Sequence, residues 1–278
     1  MSNLAIDIQH LTKTYGKNRG VSDLTLQVNE GEIFGFLGPN GAGKSTTIRS
    51  MLGLIRYQSG SVQLLGSDLA TNKEALLREI GYLPSEVMYY PSMKGIDVIK
   101  YAASMRGMDC SEEAAKLCER LKIDTEKRIE ELSLGNRKKI GIVCAMQHKP
   151  KLLIFDEPTS GLDPLMQAEF FKLVTEYNAQ GTTCFLSSHV LSEIKKYCER
   201  VAIIREGHLI KTDTVENLLS SQGKIVKVFV DGEYSTFRHA GTIPELLQQL
   251  EGKNITDLEI TEPDIEDIFM SFYEEDNK

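Results

Sequence analysis

The chain has 278 residues, of which 41% are hydrophobic, and this is enough to bury a full core in one large domain with an appendage. Its formal net charge is −8, from 32 basic and 40 acidic residues, and the basic residues form no block. Because nucleic-acid surfaces depend on clustered cations, we expect no nucleic-acid partner.

The cysteine content and the hydropathy pattern limit the compartment. Five cysteines are an odd number, and no two of them form a C-x-x-C pair, which favours reduced thiols over disulfides or a zinc site. The N-terminus has no basic segment followed by an apolar run, and no apolar run approaches the roughly 18–20 residues that cross a bilayer. We expect a soluble, intracellular chain without a signal peptide.

Two strands are predicted at the start of the chain. Apolar residues alternate with polar ones over residues 4–11 and again over residues 24–28, as in half-buried strands of an antiparallel sheet. The polar loop between them contains one aromatic residue, Tyr15. From the residues alone, two interpretations of Tyr15 remain open, namely packing against the fold or stacking on a nucleotide base.

The next segment is a phosphate-binding loop. Residues 38–46 match G-x-x-x-x-G-K-S/T at every fixed position, after an apolar strand at 33–37 and before a helical pattern at 46–54. The glycines allow backbone N–H groups to surround a phosphate, and the helix N-terminus faces the same anion. Lys44 would contact the outer phosphates and the Ser45 hydroxyl would ligate Mg²⁺. The segment predicts a nucleoside triphosphate site formed by Gly38, Asn40, Gly41, Ala42, Gly43, Lys44, Ser45 and Thr46.

The middle of the chain predicts further strands and helices. A short strand at 61–65 and a helical piece at 75–80 precede residues 81–86, which are expected to leave the core. Residues 87–146 are mostly helical in pattern and predict an inserted helical subdomain. Buried strands at 151–155, 182–186 and 201–204 then alternate with helices at 165–177 and 190–198. This alternation favours a parallel sheet covered on both faces.

The last part of the chain changes character after residue 207. A short helix at 215–219, a strand at 225–230 and a helix at 244–250 precede an amphipathic last helix that contains Ile265, Ile268, Phe269 and Phe272. The predicted fold is therefore an α/β phosphate-loop NTPase domain at 1–210, with a mostly parallel sheet, antiparallel N-terminal strands and the helical subdomain. A small α+β accessory region is expected at 211–278.

An acidic pair follows the strand at 151–155. Asp156 can hold Mg²⁺, directly or through water, and Glu157 is placed to polarise an attacking water as a general base. Two adjacent carboxylates repel each other unless a cation lies between them, which favours this interpretation over a purely structural one. Ser133 and Gly135 precede a predicted helix and form either a second phosphate-facing surface or only an N-cap.

The order of these motifs resembles that of the ATP-binding subunit of ABC transporters over residues 4–207. The phosphate loop, a Leu-Ser-Leu-Gly-Asn segment at 132–136, the acidic pair, a Ser-Gly-Leu-Asp-Pro segment at 160–164 and a histidine occur in that order. The resemblance implies that Tyr15 stacks on adenine and that His189 contacts the γ-phosphate. It also implies that Ser133 and Gly135 cap the γ-phosphate bound by the opposite subunit, and that residues 160–163 form the D-loop across that interface.

The signature loop departs from the family pattern. The family usually has Leu-Ser-Gly-Gly-Gln, whereas this chain has Leu134 and Asn136 at the third and fifth positions. Ser133 and Gly135 are kept, so we expect the phosphate contact to be kept in a stiffer loop.

A second departure concerns the Q-loop. Where the family has a glutamine that touches Mg²⁺ and couples to the permease, this chain has Ser85. Ser85 would reach the metal through water, or the adjacent Glu86 would take part, and the residues leave both alternatives open.

The function that the resemblance implies is ATP hydrolysis coupled to transport. Two such chains, as a homodimer, would sandwich two ATP·Mg²⁺ and drive a separate membrane permease at the cytoplasmic face of the membrane. The departures and the acidic segment at 262–269 resemble the exporter branch of bacitracin- and multidrug-resistance-type ATPases. The sequence does not identify the cargo, because cargo contacts lie on the permease.

The alternative is a non-transport ABC ATPase that acts as a mechanical regulator of a membrane or ribosomal partner. Ribosomal members usually carry two such domains and a charged linker in one chain, and 278 residues hold one domain. The segment at 87–105 is the expected permease contact, because nucleotide chemistry constrains it least.

Overall fold

The computed structural model describes residues 3–16, 19–220, 223–230 and 232–261. The amphipathic last helix predicted from Ile265 to Phe272 lies outside these residues. The chain forms two compact units, Met1–Thr212 and Asp213–Lys278. Within the described residues, no helix is both long enough and apolar enough to cross a membrane.

The first unit contains ten strands and seven helices among its described residues. In chain order they are β1 (Leu4–Thr14), β2 (Gly20–Asn29), β3 (Ile33–Leu37), α1 (Lys44–Met51), β4 (Ser59–Leu64), β5 (Ser67–Asp68), α2 (Leu69–Arg78), β6 (Ile80–Leu83), α3 (Gly95–Ser104), α4 (Ser111–Arg120), α5 (Leu134–Met146), β7 (Leu152–Asp156), α6 (Pro164–Ala179), β8 (Thr183–Ser188), α7 (Leu191–Tyr197), β9 (Arg200–Arg205) and β10 (His208–Thr214). A 3₁₀ turn, Ile129–Glu131, precedes α5.

A six-stranded sheet in the order β10-β9-β3-β8-β7-β6 forms the centre of this unit. β3 runs parallel to β8 and β9, and β7 runs parallel to β6 and β8. All five residues of β3 and of β7 are buried, as expected for a sheet that is covered on both faces. The predicted mostly parallel α/β sheet is confirmed.

A second sheet has the order β2-β1-β4-β5 and is antiparallel throughout. The inward-facing residues of β1 and β2, among them Ile6, Ile8, Leu24 and Leu26, share one apolar cluster with Phe34 of β3. The alternating pattern read from the sequence therefore buries one face of each strand, and the predicted antiparallel strands are confirmed.

The helical segment at 95–146 consists of α3, α4 and α5, and no helix is present at 87–94. Helix α5 lies close to β6, because a Cβ added to Gly141 would come 2.7 Å from Leu83 Cδ1. The prediction that residues 81–86 leave the core is wrong for residues 81–83, and the predicted helical piece at 75–80 is wrong at Ile80, because Ile80–Leu83 forms β6 at the sheet edge. A strand of four residues is too short to show clearly the alternation of apolar and polar residues by which strands are recognised in a sequence.

Several element bounds also differ from the predictions. Helix α2 begins at Leu69 rather than at residue 75, where the Asp68 carboxylate accepts a hydrogen bond from Ala70 N–H. Strands β5 and β10 of the first unit and β12 (Glu233–His239) and β13 (Ile255–Thr261) of the second were not predicted, because each has few buried residues and so a weak alternation.

The second unit is α+β, as predicted. Its described elements are α8 (Val215–Ser220), β11 (Lys224–Val230), β12 (Glu233–His239), α9 (Ile243–Leu250) and β13 (Ile255–Thr261). The strands form an antiparallel sheet in the order β12-β11-β13. Leu246 and Leu250 of α9 pack against Val226 and Val228 of β11, which gives the unit its own small core.

Candidate functional site

The phosphate loop connects the buried end of β3 to the first residue of α1. Gly43 has a φ of 111°, a left-handed conformation that a residue with a Cβ adopts only with strain. A Cβ at Gly38 would lie 2.5 Å from the Ile204 carbonyl oxygen. The glycines are therefore needed here for close packing as well as for the turn.

The main chain of two other segments holds this loop in place. A Cβ at Gly43 or at Gly207 would lie 2.7 Å from the same atom, the Gly20 carbonyl oxygen. The Gly207 N–H also donates to the Ala42 carbonyl at 2.9 Å. We call Gly20, Gly43 and Gly207 the glycine junction.

Lys44 is buried at the first position of α1, with 5% of its surface exposed. Its ammonium Nζ donates to the carbonyl oxygens of Gly38 at 2.6 Å and Pro39 at 3.2 Å. It also lies 3.0 Å from Glu157 Oε1. The one cation inside the loop is thus neutralised by a carboxylate from the end of β7.

Glu157 stands between Lys44 and His189. Its second oxygen, Oε2, is 2.6 Å from His189 Nδ1, and the imidazole is half-exposed. The Glu157 backbone has a φ of 50°, and its N–H donates to the Ser187 carbonyl and hydroxyl oxygens, each at 3.2 Å. These contacts fix the position of the carboxylate, because backbone strain at a non-glycine residue persists only where neighbours hold it.

Asp156 is fully buried beside this group. The Ser187 hydroxyl donates to Asp156 Oδ1 at 2.7 Å, while Oδ2 has no hydrogen-bond partner among the described residues. A buried carboxylate oxygen without a partner is costly unless a cation joins it. The described residues contain no group of three or more acidic, histidine or cysteine side chains that could hold a metal by themselves. The donor set of Asp156 and the Ser45 hydroxyl fits Mg²⁺, which keeps waters and phosphate oxygens as its other ligands.

A cleft of about 590 Å³ lies over the phosphate loop. Tyr15 stands at its wall with half of its surface exposed, and Lys13 Nζ is 4.7 Å from the centroid of its ring. Ser85 lines the same cleft, whereas Glu86 is exposed and is absent from the lining. The predicted site residues that line the cleft are Tyr15, Asn40, Gly41, Gly43, Lys44, Ser45, Thr46, Ser85 and Glu157.

Ser133 and Gly135 do not line this cleft. Ser133 is exposed at the start of α5, where its hydroxyl accepts a hydrogen bond from Asn136 N–H at 3.3 Å. A Cβ at Gly135 would lie 2.5 Å from the carbonyl oxygen of Gly161. The two segments at 132–136 and 160–163 therefore meet each other and leave Ser133 facing outward.

Lys138 was not singled out in the sequence. Its side chain is 1% exposed, and its Nζ donates to the carbonyl oxygens of Pro84 at 3.1 Å and Ser85 at 2.7 Å. Burial lowers the pKa of Lys138 to about 8, although the carboxylates of Asp156 and Glu157 oppose this shift. The sequence could have indicated that Lys138 is buried, because it lies four residues before Ile142 and therefore on the same buried face of α5.

Comparisons with known proteins agree with this geometry. The family model described as "ABC transporter" matches residues 21–160. The chain is 34% identical to the bacitracin transport ATP-binding protein BcrA of Bacillus licheniformis, over 94% of each chain. It is 29% identical to the linearmycin resistance ATP-binding protein LnrL of Bacillus subtilis, over 96% of this chain and 97% of that one.

The solved structures support the same assignment. An ATP-binding subunit of an ABC transporter superposes with a TM-score of 0.71 at 29% identity, covering 77% of this chain and 91% of that one. The resemblance inferred from the motifs is confirmed by the family match and by relatives along almost the whole chain. The chain belongs to the ABC transporter family and is an ATP-binding, ATP-hydrolysing subunit.

Proposed function

We propose that two copies of this chain sandwich two ATP·Mg²⁺ and drive a separate membrane permease that exports a drug, a peptide or a similar cargo. The observation that carries the proposal is the separation of the site into two parts. Lys44, Asp156 and Glu157 adjoin one another, whereas Ser133 faces outward from a different segment. Each chain then contributes the phosphate loop of one site and the signature loop of the other.

Within one site, nucleotide binding exchanges the partners of Lys44. The Lys44 ammonium binds the γ-phosphate in place of the Glu157 carboxylate, and the backbone N–H groups at the start of α1 donate to the other phosphate oxygens. The carboxylate of Glu157 is then free to accept a proton from the attacking water, while His189 orients it through the 2.6 Å hydrogen bond. Ser45 and Asp156 would hold Mg²⁺, with Ser85 near it, and the ion would neutralise charge on the phosphate oxygens.

The outward face around Ser133 has the character of a surface that a second copy covers. Leu134 is 57% exposed beside Gly161, and Leu165 at the start of α6 is 65% exposed. The Ser133 hydroxyl and the helix N-terminus present donors to an anion that this chain does not itself supply. The partner's γ-phosphate would complete the contact, and Tyr15 would stack on adenine at the other end of the nucleotide.

The permease contact is proposed near the helical subdomain. Large apolar side chains are exposed there, namely Met88 at 89%, Tyr90 at 75%, Met105 at 66% and Tyr101 at 59%. Large exposed apolar side chains are frequent at protein interfaces, so we propose this segment as the contact. We propose that the chain acts at the cytoplasmic face of the membrane, because the permease that it would drive spans that membrane. The names of the bacitracin and linearmycin relatives favour an antimicrobial compound as cargo.

The test of shared sites is a mixture of two inactive variants. Lys44→Ala removes the phosphate-loop half of a site, and Ser133→Arg fills the signature half with a large side chain. The mixed dimer contains one intact composite site, so ATPase activity should return in part when the two variants are combined. Full ATPase activity of a strictly monomeric Ser133→Arg protein would contradict the sandwich.

A further inference from the structure

A buried lysine joins the signature helix to the nucleotide cleft. Lys138 lies on α5, the helix that begins next to Ser133, and its ammonium binds the carbonyl oxygens of Pro84 and Ser85. An ammonium group is costly to bury, so a lysine that is 1% exposed persists only where acceptors offset the lost hydration. The two carbonyls supply these acceptors at 3.1 and 2.7 Å.

The contact joins two elements that have little freedom to slide. Helix α5 packs directly on β6, since Gly141 leaves no room for a Cβ beside Leu83. Pro84 and Ser85 follow β6 immediately, and Ser85 lines the cleft that contains Lys44 and Glu157. A shift of the start of α5 is therefore passed to the Ser85 segment through Lys138.

The link uses the main chain at residue 85 and not its side chain. Pro84 and Ser85 are held by their carbonyl oxygens, and these oxygens would be present with any residue at either position. A serine can therefore occupy the position without loss of the mechanical connection.

We propose that Lys138 is a positioning residue that couples the two composite ATP sites within one chain. Contact between Ser133 and the nucleotide of the second copy sets the position of α5, and Lys138 then sets the Ser85 segment in the chain's own cleft. The inference rests on the proposed sandwich of two copies.

The test compares substitutions at two neighbouring lysines of the full-length chain. Lys138→Met keeps the length of the side chain but removes its donors, and Lys138→Gln keeps an N–H donor. Lys139→Met is the matched control on the next residue of the same helix. We expect Lys138→Met to lower kcat by about tenfold or more, while the ATP dissociation constant of the isolated chain changes by less than about threefold. Lys138→Gln should recover part of the turnover, and Lys139→Met should match the parent.

A double-mutant cycle tests the coupling itself. If Lys138 transmits the contact made by Ser133, then Ser133→Ala should cost little further turnover in the Lys138→Met background. If the turnover losses of Ser133→Ala and Lys138→Met multiply in the double variant, the proposal is wrong. It is also wrong if Lys138→Met turns over at the parent rate, or if the ATP affinity of Lys138→Met falls as much as its kcat. If Lys138→Met does not fold, Lys138→Leu, which also lacks the donors, takes its place, and parent-like turnover or a multiplicative Ser133→Ala loss in that background overturns the proposal equally.

The failure of the underlying sandwich is distinguishable from the failure of this inference. ATP-dependent dimerisation of a Glu157→Gln chain reports on the sandwich alone. If that chain stays monomeric with ATP, the sandwich is wrong. If it dimerises and Lys138→Met behaves as the parent in the turnover assay, only the role of Lys138 is wrong.

Discussion

Replacing Glu157 with glutamine separates nucleotide binding from hydrolysis. The amide has the shape of the carboxylate and the same backbone requirement at φ 50°, so the fold should be kept. It cannot accept the proton of the attacking water. General-base catalysis is worth about 10²–10⁴-fold, which corresponds to about 3–5 kcal/mol of the barrier. We expect turnover to fall by roughly 10²-fold or more.

The same substitution should strengthen ATP binding. The Glu157 carboxylate lies 3.0 Å from Lys44 Nζ and would compete with the phosphates for that ammonium. A like charge about 5 Å from a phosphate oxygen repels it by about 3 kcal/mol at an effective dielectric of about 20. Because solvent ions and the Lys44 contact offset part of this repulsion, we expect a gain of about tenfold in affinity, or about 1.4 kcal/mol.

The assay measures nucleotide affinity, steady-state turnover and mass in solution on one preparation. The isolated parent should be mainly monomeric, and Glu157→Gln should become dimeric when ATP is added. Glu206→Gln is the matched control, because Glu206 also has a left-handed backbone, with a φ of 49°, but is 81% exposed. Turnover of Glu157→Gln at the parent rate would show that Glu157 is not the base. An unchanged or weaker ATP affinity would refute the competition for Lys44.

Three further predictions use other parts of the molecule. Lys44→Ala should weaken ATP binding and abolish turnover, because the ammonium offsets phosphate charge in both the ground and transition states; parent-like binding and turnover would remove the phosphate-loop assignment. Gly135→Ala would put a Cβ 2.5 Å from Gly161 O, so we expect a loss of about 1–3 kcal/mol in unfolding free energy by urea titration, together with slower turnover. His148 is buried and desolvation lowers its pKa from 6.5 to about 4, so the unfolded chain binds its proton first. Stability should therefore fall as the pH drops from about 6.5 to about 4, and this dependence should weaken in His148→Gln; equal slopes in the variant and the parent would contradict the burial argument.

The sequence predicts the parts of the site that depend on neighbouring residues. The phosphate loop, its preceding strand and its following helix are local, so the glycines, Lys44 and Ser45 could be read directly from their spacing. The acidic pair was placed correctly at the end of a buried strand for the same reason.

What the sequence did not predict depends on contacts between distant residues. β6 is a strand because β7 pairs with it, and its four residues carry little periodic signal of their own. The role that we propose for Lys138 depends on the Pro84 and Ser85 carbonyls, which accept its hydrogen bonds from more than 50 positions away in the sequence. The 3.0 Å contact between Lys44 and Glu157 likewise arises only when β3 and β7 are brought into one sheet.

The glycine junction has a consequence for how this chain can change in evolution. A Cβ at Gly43 would meet both the Gly20 carbonyl oxygen and the Val21 side chain at 2.7 Å, and a Cβ at Gly207 would meet the same carbonyl oxygen at 2.7 Å. A side chain can be replaced by a smaller one, whereas the carbonyl oxygen is present whatever residue occupies its position. The three glycines cannot change one at a time, because any Cβ would push two backbones apart. An alignment of this family should therefore show glycine persisting at these three positions.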